Sequence, residues 1–418
     1  MARFKVEECP GLRERPRTGR LGGMSSPLQR HWMLDPEVTF LNHGSFGAAP
    51  RAVLVAQQAL RDELERQPVH FFVRTFEERL DAARIALAAF VGADPEGLGF
   101  VPNATTGVNA VLRSLTFAAG DELVVSDHEY NACRNVLEYV AARSGARVVV
   151  VEIPFPSAGP DEVVEAIEGA LTDRTRLLLV DHVTSATGLI LPLERIVPLC
   201  RERGVEVLVD GAHAPGMIPV DLDALGASWY TANCHKWICA PKGAAFLWAR
   251  EDVRADVRPA VMSHGANLPV DRRSRFRNEF DWQGTQDPTP WLAVPVALEV
   301  MAGLVDDGWP EVMRRNRALA LEARRLLCEA LGAEPPCPDS MIGSLATIPL
   351  PDGEAGTPSS LYVDPLQRHL WDDWKIEVPI SPWPSPPRRV LRISAQLYND
   401  RADYQRLADA LLAARPTA

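Results

Sequence analysis

One lysine lies in a sequence context that suits a nucleophilic amine. Lys236 belongs to the segment NCHKW, which directly follows the apolar run ASWYTA. Desolvation lowers the pKa of a lysine amine, and such an amine can form a Schiff base with an aldehyde. The same lysine could instead extend along the surface with its charged end in water. The residue types alone leave both interpretations open.

Two other polar groups follow apolar runs earlier in the chain. The run VEVLVD ends in Asp210, and His213 comes three residues later. The segment FVPNATTGVNAVLRSL predicts a strand, a turn and a helix, which places Thr105 and Thr106 at a helix N-terminus. Free backbone N–H groups make such a terminus a binding site for phosphate. Taken alone, N-capping by Asn103 or a threonine is the more common use of this turn.

The histidines and cysteines near Lys236 do not form a convincing metal site. Neighbouring Cys234 and His235 can hardly both reach the ion that His213 and Cys239 would bind. The chain also has no Cys-x-x-Cys or His-Glu-x-x-His spacing in this region. We expect no metal.

The composition indicates a large globular protein. Of 418 residues, 46% are hydrophobic and 24% charged, which suffices for an extensive core. The net charge of −11 argues against binding nucleic acid through its phosphates, and no apolar run is long enough for a membrane span. The first thirty residues lack the apolar core of a secretory signal, and seven irregularly spaced cysteines do not form a disulfide framework. These features predict a cytoplasmic enzyme.

The hydrophobic pattern predicts an α/β fold with a mostly parallel, seven-stranded type of sheet flanked by helices. The predicted strands are GLGFV, ELVVS, ARVVVVEI, RLLLVDHV, VEVLVDG, ASWYTAN and AAFLWA, with helical segments between them. From about residue 293 a mixture of helices and strands predicts a smaller α+β domain. We therefore predict a flexible tail (1–33), an N-terminal segment that packs with the small domain (34–66), a large cofactor domain (67–292) and a small C-terminal domain (293–418).

The order of these motifs resembles a known group of enzymes. A helix start of the phosphate-binding type, then an aspartate at a strand end, then a lysine, is similar to the pyridoxal phosphate enzymes of the aspartate aminotransferase fold. More narrowly, the chain resembles the class V aminotransferase group, which includes the cysteine desulfurases. The segments NHGSFGAAPRAVL, DHEYNACRNVL, LVDGAHAPGM, NCHKWICAPKGAAFLW and SRFRNEFDWQGTQDPT are similar to the isopenicillin N epimerase family. The resemblance covers about residues 35–400.

The resemblance implies a role for each residue around the cofactor, pyridoxal 5'-phosphate. Lys236 would form the Schiff base and move the α-proton, while Asp210 would face the pyridine nitrogen. His213 would approach the phenolic oxygen, and Tyr130 would stack on the ring. The residues implied at the phosphate are Thr105, Thr106, Asn233 and His235, with Gly284 and Thr285 supplied by a neighbouring subunit of a homodimer.

The substrate implied by the resemblance is an amino acid or a peptide that contains one. Arg392, in RVLRISAQLYND, matches the arginine that binds the substrate α-carboxylate, for which a guanidinium is well suited. Ser185 replaces an asparagine found in many relatives, and its role stays open. Trp383, in a Pro-rich loop, could form an apolar wall beside the substrate.

The reaction is predicted less sharply than the cofactor. No cysteine follows Cys337, which disfavours a desulfurase that carries a persulfide on a loop before Arg392. Epimerisation is the first expectation, and it needs a second proton donor, for which Tyr130, His43 and Cys234 are candidates. The alternatives are a C–S lyase similar to the hercynylcysteine sulfoxide lyases, an aminotransferase, and a protein that binds the cofactor without catalysis.

Overall fold

A central sheet and a smaller sheet organise the computed structural model, which describes residues 26–353 and 363–414. The strands are β1 (Thr39–Phe40), β2 (Leu98–Val101), β3 (Glu122–Ser126), β4 (Arg147–Val151), β5 (Thr175–Asp181), β6 (Glu206–Asp210), β7 (Trp229–Asn233), β8 (Ala245–Ala249), β9 (Leu345–Leu350), β10 (Ile376–Glu377), β11 (Ile380–Pro382) and β12 (Arg389–Ser394). The central sheet has the order β2-β8-β7-β6-β5-β3-β4. Strands β3 to β7 run parallel, and β8 is antiparallel to both of its neighbours.

The helices are α1 (His43–Phe46), α2 (Arg51–Arg66), α3 (Pro68–His70), α4 (Phe76–Val91), α5 (Ala104–Ser114), α6 (Asn131–Ser144), α7 (Pro160–Ala170), α8 (Leu193–Glu202), α9 (Leu222–Leu225), α10 (Arg275–Asp281), α11 (Thr289–Leu292), α12 (Val294–Ala302), α13 (Trp309–Leu331), α14 (Pro365–Trp374) and α15 (Arg401–Ala413). Helix α4 ends at Gly92, as the sequence predicts, because this glycine takes the left-handed conformation. In the part of the chain that the structure describes, no helix is long and apolar enough to cross a membrane.

The parallel strands are apolar throughout because helices cover both faces of the central sheet. Along β3, Leu123 and Val125 belong to one apolar core and Val124 to the other. The first core also receives apolar residues from α5, α6 and α10, and the second receives them from α7 and α8. All seven predicted strands lie in this sheet, so the predicted fold class is confirmed.

The smaller sheet lies in the C-terminal part of the chain and positions Arg392. It has the order β11-β12-β9, with antiparallel pairing throughout. The N-terminal segment reaches this region as well, since Thr39 of β1 pairs with Ile376 of β10. This pairing agrees with a segment 34–66 that packs with the small domain, although the division of the chain into domains stays a prediction.

The predicted tail, residues 1–33, includes residues that the structure describes. Residues 1–25 lie outside the described part, but residues 26–33 belong to the fold. Trp32 is 1% exposed, its indole N–H donates to the carbonyl of Ala48 at 3.0 Å, and its ring meets Tyr398 edge-on at 5.1 Å. Trp32 therefore joins the end of the predicted tail to the fold, although the segment has no hydrophobic period, and the boundary at residue 33 stays a prediction.

Candidate active site

The carboxyl ends of the middle strands place three polar residues along one edge of the sheet. β5 ends in Asp181, β6 in Asp210 and β7 in Asn233. Asp181 and Asp210 are direct neighbours in the sheet register, and both are at least 97% buried. Ligands of open parallel sheets bind at this edge. The sequence-predicted residues of the 210–236 region therefore lie where a ligand site is expected.

Lys236 lies in the turn that follows β7, next to His213. Its Nζ is 3.0 Å from His213 Nε2, and the other ring nitrogen of His213, Nδ1, accepts a hydrogen bond from Trp237 Nε1 at 3.3 Å. Burial, with a contribution from Arg392, lowers the pKa of Lys236 to about 8. Burial also holds the pKa of His213 well below its usual range, so this imidazole is neutral. The predicted pair of Lys236 and His213 is thus brought together.

The N-terminal segment packs against the turn that carries Lys236. His43, which is fully buried, contacts the carbonyl of Lys236 through Nε2 at 3.0 Å and the hydroxyl of Tyr398 through Nδ1 at 2.8 Å. Burial lowers the pKa of His43 to about 3. Gly47 has a φ of +70°, and a Cβ there would lie 2.0 Å from the carbonyl oxygen of His235. Only glycine allows the two segments to approach this closely.

A cluster of buried carboxyl groups surrounds Asp210. One oxygen of Asp210 accepts from the backbone N–H of Ala212 at 2.9 Å, and the other accepts from the thiol of Cys133 at 3.1 Å. The carboxyl groups of Glu129 and Asp181 influence each other and Asp210 within this buried cluster. Burial, reinforced by the neighbouring carboxylates, raises the pKa of Glu129 and of Asp181 well above the usual range.

Two oxygens of this cluster are left without a donor. Among the described residues, Glu129 Oε2 and Asp181 Oδ2 are buried and have no hydrogen-bond partner. Burial raises the pKa of Asp210 too. Desolvated carboxyl groups that lie together favour a cation in their midst. The cluster can therefore hold a positively charged group at the end of β6.

The N-terminus of α5 faces the same edge. Asn103 caps the helix through a hydrogen bond from the backbone N–H of Thr106 at 2.8 Å, as the simpler interpretation of this turn expects. Asn233 Oδ1 accepts from the backbone N–H of Ala104 at 2.9 Å and so joins the helix to β7. Thr105 and Thr106 are partly buried at this terminus. The predicted threonines and Asn233 are therefore brought together, at a helix end that favours an anion.

Two further predicted residues lie nearby. His235 contacts the carbonyl of Ala244 through Nδ1 at 3.0 Å, and burial lowers its pKa to about 4, so its Nε2 stays available on a neutral ring. Tyr130 starts α6 with 48% of its surface exposed. It lies close enough to Arg392 to raise the pKa of that guanidinium slightly against the larger effect of burial.

Arg392 is buried and meets only uncharged acceptors. Its guanidinium contacts the carbonyl of Ser185, the hydroxyl of Ser45 at 3.1 Å and the side-chain oxygen of Asn42 at 3.5 Å. In residues 26–353 and 363–414 it forms no ion pair, and its Nε has no hydrogen-bond partner. Burial lowers the pKa of Arg392 to about 10. A desolvated cation with neutral partners is suited to bind a carboxylate.

The predicted loop at Gly284 and Thr285 is separate from these groups. Thr285 is exposed between α10 and α11, and among the described residues no hydrogen bond joins it to the Lys236 turn. Trp383 meets His128 edge-on at 4.4 Å and Phe155 at 6.3 Å. This aromatic group is carried by the loop that follows β11 and by the chain that follows β3 and β4.

These features define an α/β protein whose sheet edge combines a partly buried amine, a carboxyl cluster, a helix N-terminus and a guanidinium. The chain belongs to the class V aminotransferase family, because the family model described as "Aminotransferase class-V" matches residues 47–326. The predicted family is thereby confirmed, and so is the predicted cofactor, pyridoxal phosphate.

Relatives with three different activities are similar to the chain. Isopenicillin N epimerase of Amycolatopsis lactamdurans is 40% identical, over 90% of this chain and 95% of its own length. L-cysteine desulfhydrase of Arabidopsis thaliana is 31% identical, over 90% of this chain and 87% of its own. Hercynylcysteine sulfoxide lyase of Schizosaccharomyces pombe is 25% identical, over 75% of this chain and 81% of its own.

Solved structures confirm the fold. The cystine C-S lyase C-DES, in complex with cysteine persulfide, superimposes with a TM-score of 0.74 at 22% identity, over 90% of this chain and 97% of its own. A cysteine desulfurase from Thermococcus onnurineus NA1 gives a TM-score of 0.75 at 19% identity, over 94% and 98% of the two chains.

The charged and polar groups at this edge of the sheet fit pyridoxal phosphate, and so does the fold that carries them. The orphaned oxygens of Glu129 and Asp181 show that the carboxyl cluster has spare capacity for a cation, as a protonated pyridine ring would supply. The terminus of α5 suits the phosphate, and the Lys236 amine suits the aldehyde.

Several residues of the site were missed from the sequence. Glu129, Cys133 and Asp181 complete the carboxyl cluster, and Trp237 contacts His213. A signal existed for Asp181, because the predicted strands RLLLVDHV and VEVLVDG both have an aspartate directly after the apolar run and would be neighbours in a parallel sheet. No comparable pattern distinguishes Glu129 or Trp237.

Proposed function

We propose that the protein is an epimerase that inverts the α-carbon of an amino acid, or of an amino-acid residue in a small peptide. The observation that carries this proposal is the 40% identity with an isopenicillin N epimerase across nearly the whole length of both chains. The reaction requires a proton to be removed from one face of the α-carbon and returned to the other. The arrangement around Lys236 supports such a transfer.

Lys236 is proposed to hold the cofactor and to move the proton. Pyridoxal phosphate, when bound, withdraws electrons from the α-carbon of an attached amino acid and so makes its proton acidic. Lys236 Nζ has a lowered pKa and a neutral imidazole beside it, which suits an amine that must act as nucleophile and then as base near neutral pH. Asp210 is proposed to balance the positive ring nitrogen.

The remaining predicted residues are proposed to hold the two negative groups. Thr105, Thr106, Asn233 and His235 surround a helix N-terminus that suits the phosphate. Arg392 is proposed to bind the substrate α-carboxylate, which would supply the anion that this buried guanidinium lacks within the chain. A bound carboxylate at this position would orient the α-carbon relative to Lys236.

Tyr130 is the proposed second proton donor. Of the three candidates, His43 has both ring nitrogens engaged and Cys234 is fully buried in the core. Tyr130 alone of the three is exposed, at 48%, and it interacts with the proposed carboxylate ligand Arg392. Replacement of Tyr130 by Phe should therefore leave α-proton removal measurable while slowing inversion.

A second candidate reaction is β-elimination from a cysteine derivative. It is favoured by the 31% identity with an L-cysteine desulfhydrase over 90% of this chain. A desulfurase that forms a persulfide is not favoured, because all cysteines in the described ranges are buried. The same proposed residues would serve elimination, since it also starts with loss of the α-proton.

Incubation of candidate amino acids and peptides in deuterated water separates the two reactions. Epimerisation should introduce deuterium at the α-carbon with loss of optical purity and without stoichiometric ammonia or keto acid. If a cysteine derivative yields pyruvate, ammonia and a sulfur product at much higher kcat/KM than any inversion, the protein is a lyase and the epimerase proposal is wrong.

Borohydride reduction tests the role of Lys236 directly. Reduction of the loaded protein, followed by peptide mass mapping, should place the pyridoxyl group on Lys236. Lys242 provides a matched control, because its Nζ donates to the carbonyl of Gly47 at 2.7 Å and is not proposed to react. The assignment fails if the label is found on Lys242, or if Lys236→Ala is labelled as well as the wild type.

We also propose a homodimer in which Gly284 and Thr285 complete the phosphate site of the partner. The exposure of Thr285 and the separation of both residues from the Lys236 turn of the same chain support this arrangement. Mixing Lys236→Ala with Thr285→Glu tests it, because a mixed dimer has one intact site only if Thr285 acts across the interface. Recovery of activity on mixing is expected, and no recovery from two folded dimeric variants would exclude a shared site.

A further inference from the structure

Three side chains form a buried chain of hydrogen bonds that ends at the reactive amine. Trp237 Nε1 lies 3.3 Å from His213 Nδ1, and His213 Nε2 lies 3.0 Å from Lys236 Nζ. Trp237 is fully buried and His213 is 2% exposed. Solvent therefore cannot easily replace the indole as the partner of Nδ1, and the direction of that bond is decided within the protein.

The chemistry of the three groups allows one direction only. An indole N–H is a donor and never an acceptor, so Nδ1 of His213 must accept and carries no proton. The ring is neutral, and a neutral imidazole has one proton, which must then lie on Nε2. Nε2–H can donate to Lys236 Nζ only if the nitrogen has a free lone pair. An ammonium at this position would set two donors against each other.

We propose that Trp237 is a positioning residue that fixes His213 as the Nε2–H tautomer and thereby holds Lys236 as the neutral amine. This inference deepens the proposed function, since it explains how the chain keeps Lys236 ready to react with an aldehyde. Trp237 does not touch the reacting atoms in this arrangement. It acts through His213.

Other charged groups around Lys236 set the background on which this effect acts. Arg392 on β12 disfavours the ammonium, whereas the carboxyl groups of the cluster and the nearby thiol favour it. The ionisable groups that interact with Lys236 from the surrounding elements are Asp181, Asp210, Cys133, Arg392, His213, His43 and His235. With the carboxylates opposing burial, the tautomer of His213 is well placed to decide which form of the amine prevails near neutral pH.

The test replaces Trp237 by Phe, which keeps an aromatic ring and removes the N–H. Without that donor, His213 can place its proton on Nδ1 and accept from the lysine ammonium through Nε2. The rate at which the apo-protein captures pyridoxal phosphate is measured against pH, because only the amine form of Lys236 reacts. We expect the midpoint of this profile to move upward by about one pH unit, the equivalent of a single hydrogen bond to a charged group.

Two controls separate this effect from general damage. Trp291 is another buried tryptophan whose indole N–H is bonded, to the carbonyl of Gly243 at 2.9 Å, and Trp291→Phe should leave the midpoint unchanged. In a His213→Phe background, Trp237→Phe should cause no further shift, because the intermediary is absent. A uniform loss of rate at every pH, or the same shift in both backgrounds, would overturn the proposal.

The tautomer can also be observed in the wild-type apo-protein, so the proposal does not depend on the variants folding. In ¹⁵N-histidine-labelled protein, the ring nitrogens of His213, assigned by comparison with His213→Gln, should show a protonated Nε2 and an unprotonated Nδ1. A protonated Nδ1 would refute the inference. Because this measurement involves no cofactor, it can fail while the borohydride assignment of Lys236 succeeds, and the reverse.

Discussion

Two sets of buried charges in this protein are built in opposite ways. Between α4 and α10, buried arginines are matched directly with carboxylates. Arg84, 1% exposed, lies 2.5 Å from Asp281, and Arg277, 4% exposed, lies 2.5 Å from Asp81. A buried charge without such a partner is strongly destabilising. This first set is compensated within the chain.

At the edge of the central sheet, the buried carboxyl groups and the buried guanidinium do not pair with each other. Glu129, Asp181 and Asp210 lie together, and Arg392 has only uncharged acceptors among the described residues. Each group could be satisfied by an external partner of opposite charge, a cation for the carboxyl cluster and a carboxylate for Arg392. The difference separates buried charges that hold the fold together from those that we propose to bind ligands. Substitutions in the two sets should therefore have opposite effects on stability and activity.

The largest effect is expected for Asp210→Asn. The amide cannot balance a positive ring nitrogen, so kcat/KM should fall roughly 10²–10⁴-fold. The melting temperature of the apo-protein should stay unchanged or rise, because the variant removes one of several crowded carboxyl groups. Steady-state kinetics and calorimetry measure the two quantities, and a large loss of apo-protein stability would place Asp210 in the compensated set instead.

Asp281→Asn should show the reverse pattern. It removes the carboxylate that lies 2.5 Å from the buried Arg84, leaves only Asp81 at 3.8 Å, and should lower the free energy of unfolding by about 3–5 kcal/mol. Where the variant remains folded, the absorption of bound cofactor should not change. Asp252→Asn, which breaks a solvent-exposed pair with Arg250, is the matched control and should cost no more than about 1 kcal/mol. Equal costs for the two variants in urea unfolding would contradict the distinction.

Arg392→Ala tests the comparison for the buried guanidinium. Loss of the guanidinium should weaken amino-acid binding by about 2–5 kcal/mol, with little effect on cofactor affinity. Titration of amino acids against the visible spectrum of the loaded protein measures this. Unchanged amino-acid affinity in Arg392→Ala would mean that another residue holds the carboxylate.

The smallest effect is expected for Glu129→Gln, and it depends on pH. The pKa of Glu129 is raised in the folded protein, so its protonated form favours folding. This stabilisation is fully present below the pKa that Glu129 has in the unfolded chain. It is lost as the pH rises through the pKa that Glu129 has in the folded protein. Gln can still donate to Asp181 but does not ionise. At about pH 5 the apo forms should be similarly stable, and at about pH 8 the variant should be more stable by on the order of 1 kcal/mol. A constant difference at both pH values would show that Glu129 has the same pKa in the folded and unfolded protein, and would contradict this prediction.

Much of the fold could be predicted from the sequence because its signals are local. The seven strands appear as β-branched apolar runs, and Gly92 marks the end of α4. The order in which Thr105, Asp210 and Lys236 occur was enough to indicate the family and its cofactor. Their placement at one edge then follows from the rule that ligands bind at the carboxyl ends of parallel strands.

The missed features depend on side chains that meet only in the folded protein. Glu129 lies outside any strand, and its contact with Asp181 depends on how the loop before α6 turns inward. In the sequence, Trp237 looks like an ordinary core residue, because its hydrogen bond to His213 depends on the orientation of the two rings. Trp32 is a single aromatic residue in a polar segment, and nothing around it repeats. Local periodicity carries no information about any of these contacts.

The close approach of Gly47 to the Lys236 turn has a consequence for synthesis of the chain. The N-terminal segment leaves the ribosome first, but its strand partner is Ile376, and the carbonyl that Gly47 approaches belongs to His235. Contacts between positions this distant in sequence cannot form until both have been translated. We therefore expect the contacts of β1 and Gly47 that support the Lys236 turn to form only when nearly the entire chain has emerged. A nascent chain cannot present a finished site prematurely.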